Sequence, residues 1–435
     1  MQAAPWFYNF ISLGGVAVIL LLARLSGLGR GPARWTTVAW GLGLQFTLAA
    51  VFFFLPWGKG FFLMINDVVL ALIQASRAGI AFLFGPLAVG PGQTGPDGQP
   101  SLGFILAIQG LPTVIFFMAL SALLYQLGVM QRVVRIFSRL FVKTLGSSGA
   151  ESLGVASNIF VGVESAGMVR PFLPTMTRSE FFCLLTAAMS TVASTTLGIY
   201  VATLHHIFPN IAGHLISASL MSAPAAVVVA KLMEPETGQP LTAGRVVDPE
   251  IGRYEGLMEA INRGSLDGAR LLVGICALLA SYLGLAALAQ IILGWLGGLV
   301  GLPGLELKSL LGYAAWPLTL AMGVPPVDAL AVARLLGERL LVTEIPAYAD
   351  LAQLLAQHGL VYSRSVLVAS YALCGFTHVG SVAIFVGGFG ALAPERLGEL
   401  SRLGFKALWA ATLTTVMTGC VAGIFASGGS LLLGN

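Results

Sequence analysis

Apolar runs of about 20 residues recur along almost the whole of this 435-residue chain. A run of that length is what a helix needs to cross the hydrocarbon core of a bilayer. The fold class predicted is therefore an all-α polytopic membrane protein. The chain is 57% hydrophobic and only 10% charged, whereas soluble chains carry roughly 25% charged residues. No long soluble domain interrupts the apolar runs. The net charge of +4 asks for no nucleic-acid partner, and arginines that flank apolar runs are better read as topology signals. Cys183, Cys276, Cys374 and Cys420 lie far apart in apolar segments without a CxxC, so neither a disulfide framework nor a metal site is expected. The N-terminal MQAAPWFYNFISLGG lacks a basic stretch and a cleavage signature, so the first apolar run is expected to be a retained span.

Spans are predicted at 6–24, 36–56, 103–129, 181–204, 212–233, 268–300, 362–391 and 404–428, about eight in all. The segment 59–85 contains Asn66, Asp67, Gln74, Ser76 and Arg77, which suits an interfacial or partly buried helix. Two further stretches, 133–173 and 306–357, are long enough to enter the membrane but too interrupted to cross it simply. Each has an apolar approach, a polar or breaker-rich tip and an apolar return. Re-entrant helical hairpins satisfy that pattern, because irregular backbone at membrane depth survives only where it lines a cavity.

Lysine and arginine set the orientation. Basic residues cluster after the first span (Arg24, Arg30, Arg34), after the third (Arg132, Arg135, Arg139, Lys143), in the loop 231–270 and before the last span (Arg396, Arg402, Lys406). All four clusters fall on the cytoplasmic side if the first span runs inward. The loop 87–102 and the segment near 205–210 then lie outside, the first hairpin enters from the cytoplasm and the second from the outside. Hairpin plus two spans (133–233) is thus repeated upside down as hairpin plus two spans (306–428).

Glu164, in NIFVGVESAGM, and Glu344, in RLLVTEIPAYADL, sit on these hairpins beside helix breakers: Gly162 and Gly167, and Pro346. An intramembrane carboxylate costs several kcal/mol unless paired, hydrated or bound, so its default reading is functional. Two of them on discontinuous elements of an inverted repeat point to a shared substrate site. Structural readings stand beside this one. Arg170, Arg334 or Arg339 would neutralise the glutamates, Asn158 would cap a broken helix, and His378 would be a core histidine or a titrating proton carrier.

Several segments together resemble the concentrative nucleoside transporters: LPTVIFFMALSALLYQLGVMQ, SNIFVGVES, VRPFLPTMTRSEFF, LISASLMSAPAAVVVAKLMEPE and ALCGFTHVGSVAIFVGGFGALAPER. The first hairpin tip in that family reads Asn-x-x-Val-Gly-Gln-Thr-Glu. Here Asn158, Val161, Gly162, Val163 and Glu164 follow it one residue short, so the base-facing Gln-Thr pair is reduced to Val163. The second tip keeps Glu344 and Tyr348, with Thr343 for an Asn. The span after it keeps Phe376 and Ser381, with His378 for an Asn that contacts ribose. The resemblance implies substrate contacts at Gly162, Val163, Glu164, Glu344, Phe376, His378 and Ser381, with the carboxylates taking hydroxyls and Phe376 stacking on a base. It also implies Na⁺ at Asn158, Val161, Thr191 and Thr195, since hard cations take oxygen ligands.

The function expected is import of nucleosides by Na⁺ or H⁺ symport through the bacterial inner membrane, by an elevator motion, in a homotrimer. The runner-up is proton-coupled transport of a modified nucleoside or another hydroxylated solute, because the base-reading half of the site is altered. The domains expected are N-terminal helices and the interfacial helix (1–102), a scaffold helix (103–132), repeat 1 (133–235), a cytoplasmic loop with a scaffold helix (236–305) and repeat 2 (306–435). An enzyme is not expected. His378 and Ser381 are three apart on one helix, which rarely places a base and a nucleophile correctly, and the chain has no HExxH or Walker A motif. Cofactors are not expected beyond the coupling ion.

Overall fold

A computed structural model describes residues 2–54, 56–90, 94, 101–103, 105–162, 165–192, 197–198, 200–201, 204, 208–247, 255–299 and 306–426. Among the described residues the chain is helical and no strand forms. In chain order the helices are α1 (Phe7–Ser26), α2 (Trp35–Phe54), α3 (Pro56–Phe84), α4 (Thr113–Gln126), α5 (Val129–Leu145), α6 (Gly149–Val161), α7 (Ser165–Val169), α8 (Arg178–Ser190) and α9 (Ile211–Met233). They continue with α10 (Leu257–Leu299), α11 (Leu307–Ala321), α12 (Pro326–Leu341), α13 (Glu344–Ala356), α14 (Ser363–Leu373), α15 (Val379–Leu392) and α16 (Leu397–Phe425). Seven helices among the described residues are long and apolar enough to cross a membrane.

Local signals place the helix starts. Ser148 and Glu151 form a reciprocal capping box at α6, and Thr177 and Glu180 form another at α8. Each pairs two otherwise orphaned backbone donors. Pro326 opens α12 at a position where its missing N–H costs nothing. Packing sets the layers. The central helix is α9, 89% buried over its most apolar stretch, where it meets α2, α8 and α16. At the periphery α10 is 7% buried over its own and packs on α4. That contact needs the small pair Gly264 and Gly268: a Cβ there would lie 2.7 Å from the Met118 carbonyl oxygen and 2.7 Å from the Ile115 Cα. Small residues four apart let two membrane helices approach closely.

Three expectations change. The segment 59–85 belongs to one continuous helix whose residues 66–88 form a spanning candidate. Its Asn66 and Ser76 are buried, and the Ser76 hydroxyl donates to the Ile73 carbonyl, while Asp67 and Gln74 are exposed, so the polar residues fall on both faces of a partly buried helix. Each predicted hairpin stretch contains a separate helix ahead of the hairpin proper: α5 before α6–α7, and α11 before α12–α13. The apolar run 362–391 is two helices, α14 and α15, parted at 374–378. Thr377 and His378 are the polar mark of this break, too short to divide a long apolar run by hydropathy alone.

Candidate functional site

Four chain interruptions gather the polar residues. Two are hairpin tips, after α6 and between α12 and α13. Two are helix breaks, after α8 and between α14 and α15. At the first tip Gly162 closes α6 with φ +69°, a left-handed conformation that strains any residue carrying a Cβ. Val163, Glu164 and Thr195 lie outside the described residues, as does the side chain of Val161.

The two breaks touch. A Cβ on Gly375 would stand 2.8 Å from Thr415 Cγ2 and 3.0 Å from the Ser190 carbonyl oxygen, so only glycine lets the α14–α15 break cross the end of α8. Beyond Ser190, Ser219 of α9 staples the α8 break: its hydroxyl accepts from the Val192 N–H and donates to the Val192 carbonyl, both at 3.2 Å. Helix ends left open in a low-dielectric interior need such partners.

Glu344 opens α13 and is 3% exposed. Its Oε1 accepts a 2.5 Å hydrogen bond from the Tyr200 hydroxyl. His378 Nε2 lies 3.4 Å from Oε2, close enough for electrostatic attraction but outside hydrogen-bond geometry, so Oε2 is buried without a hydrogen-bond partner. Arg339 is near but does not pair with this carboxylate. Its guanidinium donates to the Ala372 carbonyl and to Thr415 Oγ1, closing the C-terminal end of α14. Arg170 is exposed. Neither arginine therefore neutralises Glu344 by contact.

His378 caps α15. Its Nδ1 accepts from the Ser381 N–H at 3.1 Å. A backbone N–H only donates, so Nδ1 carries no proton and Nε2 bears the hydrogen that faces Glu344. The Ser381 hydroxyl donates to the His378 carbonyl at 2.6 Å. Phe376 is half-buried, with its ring 6.4 Å from the His378 ring and 6.2 Å from the Phe385 ring, both edge-on. Its flat face is not stacked on either neighbour. Besides Glu344 Oε2, the side-chain oxygens Thr343 Oγ1 and Thr377 Oγ1 are buried without a partner among the described residues. Unpaired buried side-chain atoms occur elsewhere in the fold too, and what marks these three is that they share one tip and its neighbouring break, where a hydrogen-bonding guest would satisfy them.

A second polar cluster lies at the first tip. Asn158 Nδ2 donates to the Ala187 carbonyl at 3.1 Å and to Thr191 Oγ1 at 2.5 Å, and Asn158 Oδ1 accepts from Ser165 Oγ at 3.2 Å. Thr191 Oγ1 in turn donates to the Ala187 carbonyl at 2.9 Å. Asn158 and Thr191, distant in sequence, are thus brought into direct contact, and Ser165 and Ala187 join them. The structure also adds Tyr200 and Thr377, which the sequence reading passes over. Both sit in apolar runs without periodicity, and only the fold turns them toward a charged partner or leaves them unpaired.

The fold defines a polytopic helical membrane protein whose buried polar groups cluster at hairpin tips and helix breaks. Residues 14–87, 107–206 and 214–423 match, in turn, the family descriptions "Na+ dependent nucleoside transporter N-terminus", "Nucleoside recognition" and "Na+ dependent nucleoside transporter C-terminus". The chain is 36% identical to the uncharacterized transporter YutK of Bacillus subtilis, over 95% of this chain and 98% of that one. It is 34% identical to human solute carrier family 28 member 3, over 96% of this chain but 60% of the human protein. The structure of CNTnw in an inward-facing substrate-bound state superposes with a TM-score of 0.86 at 32% identity, covering 96% of this chain and 98% of that one. This chain belongs to the concentrative nucleoside transporter family. The named members of that family are transporters rather than enzymes.

Proposed function

We propose that this chain is a secondary active transporter that carries nucleosides, or close nucleoside-like polyols, across the membrane together with Na⁺. The observation that carries this reading is Glu344 Oε2, a buried carboxylate oxygen with no hydrogen-bond partner among the described residues and with the His378 ring nitrogen 3.4 Å away; the Phe376 ring lies edge-on 6.4 Å from the same His378 ring. A ribose hydroxyl satisfies such an oxygen, and a flat base suits such a ring. Glu164, Gly162, Val163 and Ser381 complete the solute site in this reading. With Val163 where the family carries Gln-Thr, discrimination among bases is weak.

Na⁺ in place of H⁺ rests on two features. Asn158 Oδ1, Thr191 Oγ1 and the Ala187 carbonyl already form an oxygen-rich cluster beside the tip, and to these we add the Val161 carbonyl and Thr195. Protonation of His378 on Nδ1 would set two donors against each other at the α15 cap, which makes it a poor carrier of the coupling proton. The inner-membrane location, the orientation with basic loops in the cytoplasm, the homotrimer and an elevator motion of both hairpins against α4 and α10 belong to the same proposal. So does the division into two repeats at 133–235 and 306–435.

Uptake into proteoliposomes checks it. Nucleoside should accumulate against its gradient with inward Na⁺, and an ionophore should abolish the accumulation. Equilibration without coupling would point to a channel instead. Glu344→Gln removes the charge from the acceptor, where charge-assisted hydrogen bonds are worth about 1.5–3 kcal/mol each. Its nucleoside affinity should fall about 10-fold or more, and near-normal uptake by this variant would sink the site.

A further inference from the structure

The solute carboxylate and the cation cluster lie on different parts of the fold, and Tyr200 stands between them. Its hydroxyl donates to Glu344 Oε1 at 2.5 Å, and its ring meets that of Tyr348 at 5.0 Å and 31°. Both residues belong to hairpin 2. Tyr200 itself follows Thr191 by nine residues, on the stretch of chain that continues α8. Thr191 is the residue that takes the Asn158 amide at the first tip. Among the described residues, Tyr200 is the one side chain of the first half of the chain that hydrogen-bonds Glu344.

We infer that Tyr200 is a positioning residue that couples the two sites: it transmits the state of the Asn158–Thr191 cluster to Glu344. The inference rests on the Na⁺-coupled reading above. With Oε1 held by the tyrosine, Oε2 is the oxygen left for the solute, and its direction follows that of the Tyr200 hydroxyl. A cation that draws in Thr191 Oγ1 and the Ala187 carbonyl fixes the end of α8, nine residues before Tyr200 in the chain. By linkage the effect is reciprocal: solute on Glu344 must tighten cation binding by the same factor. Tyr348 provides the contrast. It stacks on the same ring, yet its hydroxyl donates at 2.9 Å to the Ser370 carbonyl, within the second half of the chain.

The test compares nucleoside affinity with and without Na⁺ in the full-length protein, using uridine and adenosine as probes and isothermal calorimetry as the readout. Coupling of ordinary strength makes Na⁺ tighten the wild type about 5-fold or more. In Tyr200→Phe that factor should fall close to one, while Tyr348→Phe should keep it even if the protein melts earlier. Glu344→Asp, which draws the carboxylate back from the Tyr200 hydroxyl, should lower the same factor and serves if Tyr200→Phe does not fold. A Tyr200→Phe protein that loses affinity equally with and without Na⁺ overturns the coupling role and leaves the transporter reading intact. A wild type that binds nucleoside with no response to Na⁺ overturns both the link and the cation assignment.

Discussion

At the scale of single residues, neutral donors surround the described carboxylate. Glu344 receives a tyrosine hydroxyl and faces a histidine, and a cation touches neither of its oxygens. A carboxylate paired tightly with arginine would gain little from a solute hydroxyl, because its lone pairs would already be taken. His378 adds a further consequence. Because the Ser381 N–H occupies Nδ1, the ring can take a second proton only by breaking its cap on α15. His378→Asn should therefore leave the shape of the uptake–pH profile between about pH 5.5 and 8 unchanged, while altering KM. Loss of an inflection in that range on substitution would make His378 a proton carrier after all. The glutamate, the histidine and Phe376 are legible in the sequence, as breaks in apolar pattern. Tyr200 and Thr377 are not, since an aromatic or hydroxyl residue in an apolar run carries no mark of what it faces.

Elements matter here through their interruptions. Four short gaps, not the helices, hold the polar groups, and the two helix breaks are held by specific partners: Ser219 at the α8 break, and Arg339 with the close crossing at Gly375 at the α14 break. Unpaired backbone in a membrane interior costs several kcal/mol per group, so these partners are a condition for having breaks at all. Gly375→Ala tests the crossing of the two breaks. Its Cβ would meet the Ser190 carbonyl and Thr415, and overpacking of this kind costs about 1–3 kcal/mol. A clear fall in melting temperature in detergent is expected, together with impaired uptake. Gly387→Ala is the control, since a Cβ there has open space around it. Equal melting of the two variants would mean the breaks are not held in contact. Two helix starts carry a local sequence signature, Ser148-x-x-Glu151 and Thr177-x-x-Glu180. The α14–α15 break carries only Gly375, Thr377 and His378 inside a long apolar run, and the close approach of Ser190 and Thr415 fixes its geometry.

Over the whole molecule, one carboxylate ties distant parts together at the end where the basic clusters gather. Glu234, just past α9, accepts from Arg30 of the α1–α2 loop, from Arg178 at the start of α8 at 2.9 Å and from Lys406 of α16 at 2.5 Å. Burial pushes this carboxyl up, but hydrogen bonds from Lys406 and Arg30 outweigh it and hold the group below its ordinary value of 4.5. A lowered folded-state value means the clamp contributes above about pH 4.5 and is lost as pH falls through the lower, folded value. Glu234→Gln should lower the melting temperature at neutral pH, with a loss of roughly 1.5–3 kcal/mol for the charged bonds removed. The gap between variant and wild type should close as pH falls below 4.5 and through the lowered, folded value. A gap that stays constant down to acid pH would show that the clamp is not ionic.

By itself the sequence determined the membrane setting, the all-α class, the number of spans to within one or two and the family, because each is written in run length, composition or local motif. It also singled out Glu344 and Asn158, since a charged or amide side chain in an apolar run is conspicuous. Tertiary structure alone decided which oxygen of Glu344 stays unpaired among the described residues, which nitrogen of His378 bears the proton and which side chain of the first half of the chain reaches Glu344. Those facts depend on contacts between residues as far apart as Tyr200 and Glu344. Their pairing is set by how hairpins and broken helices pack around α9, and no local pattern encodes it.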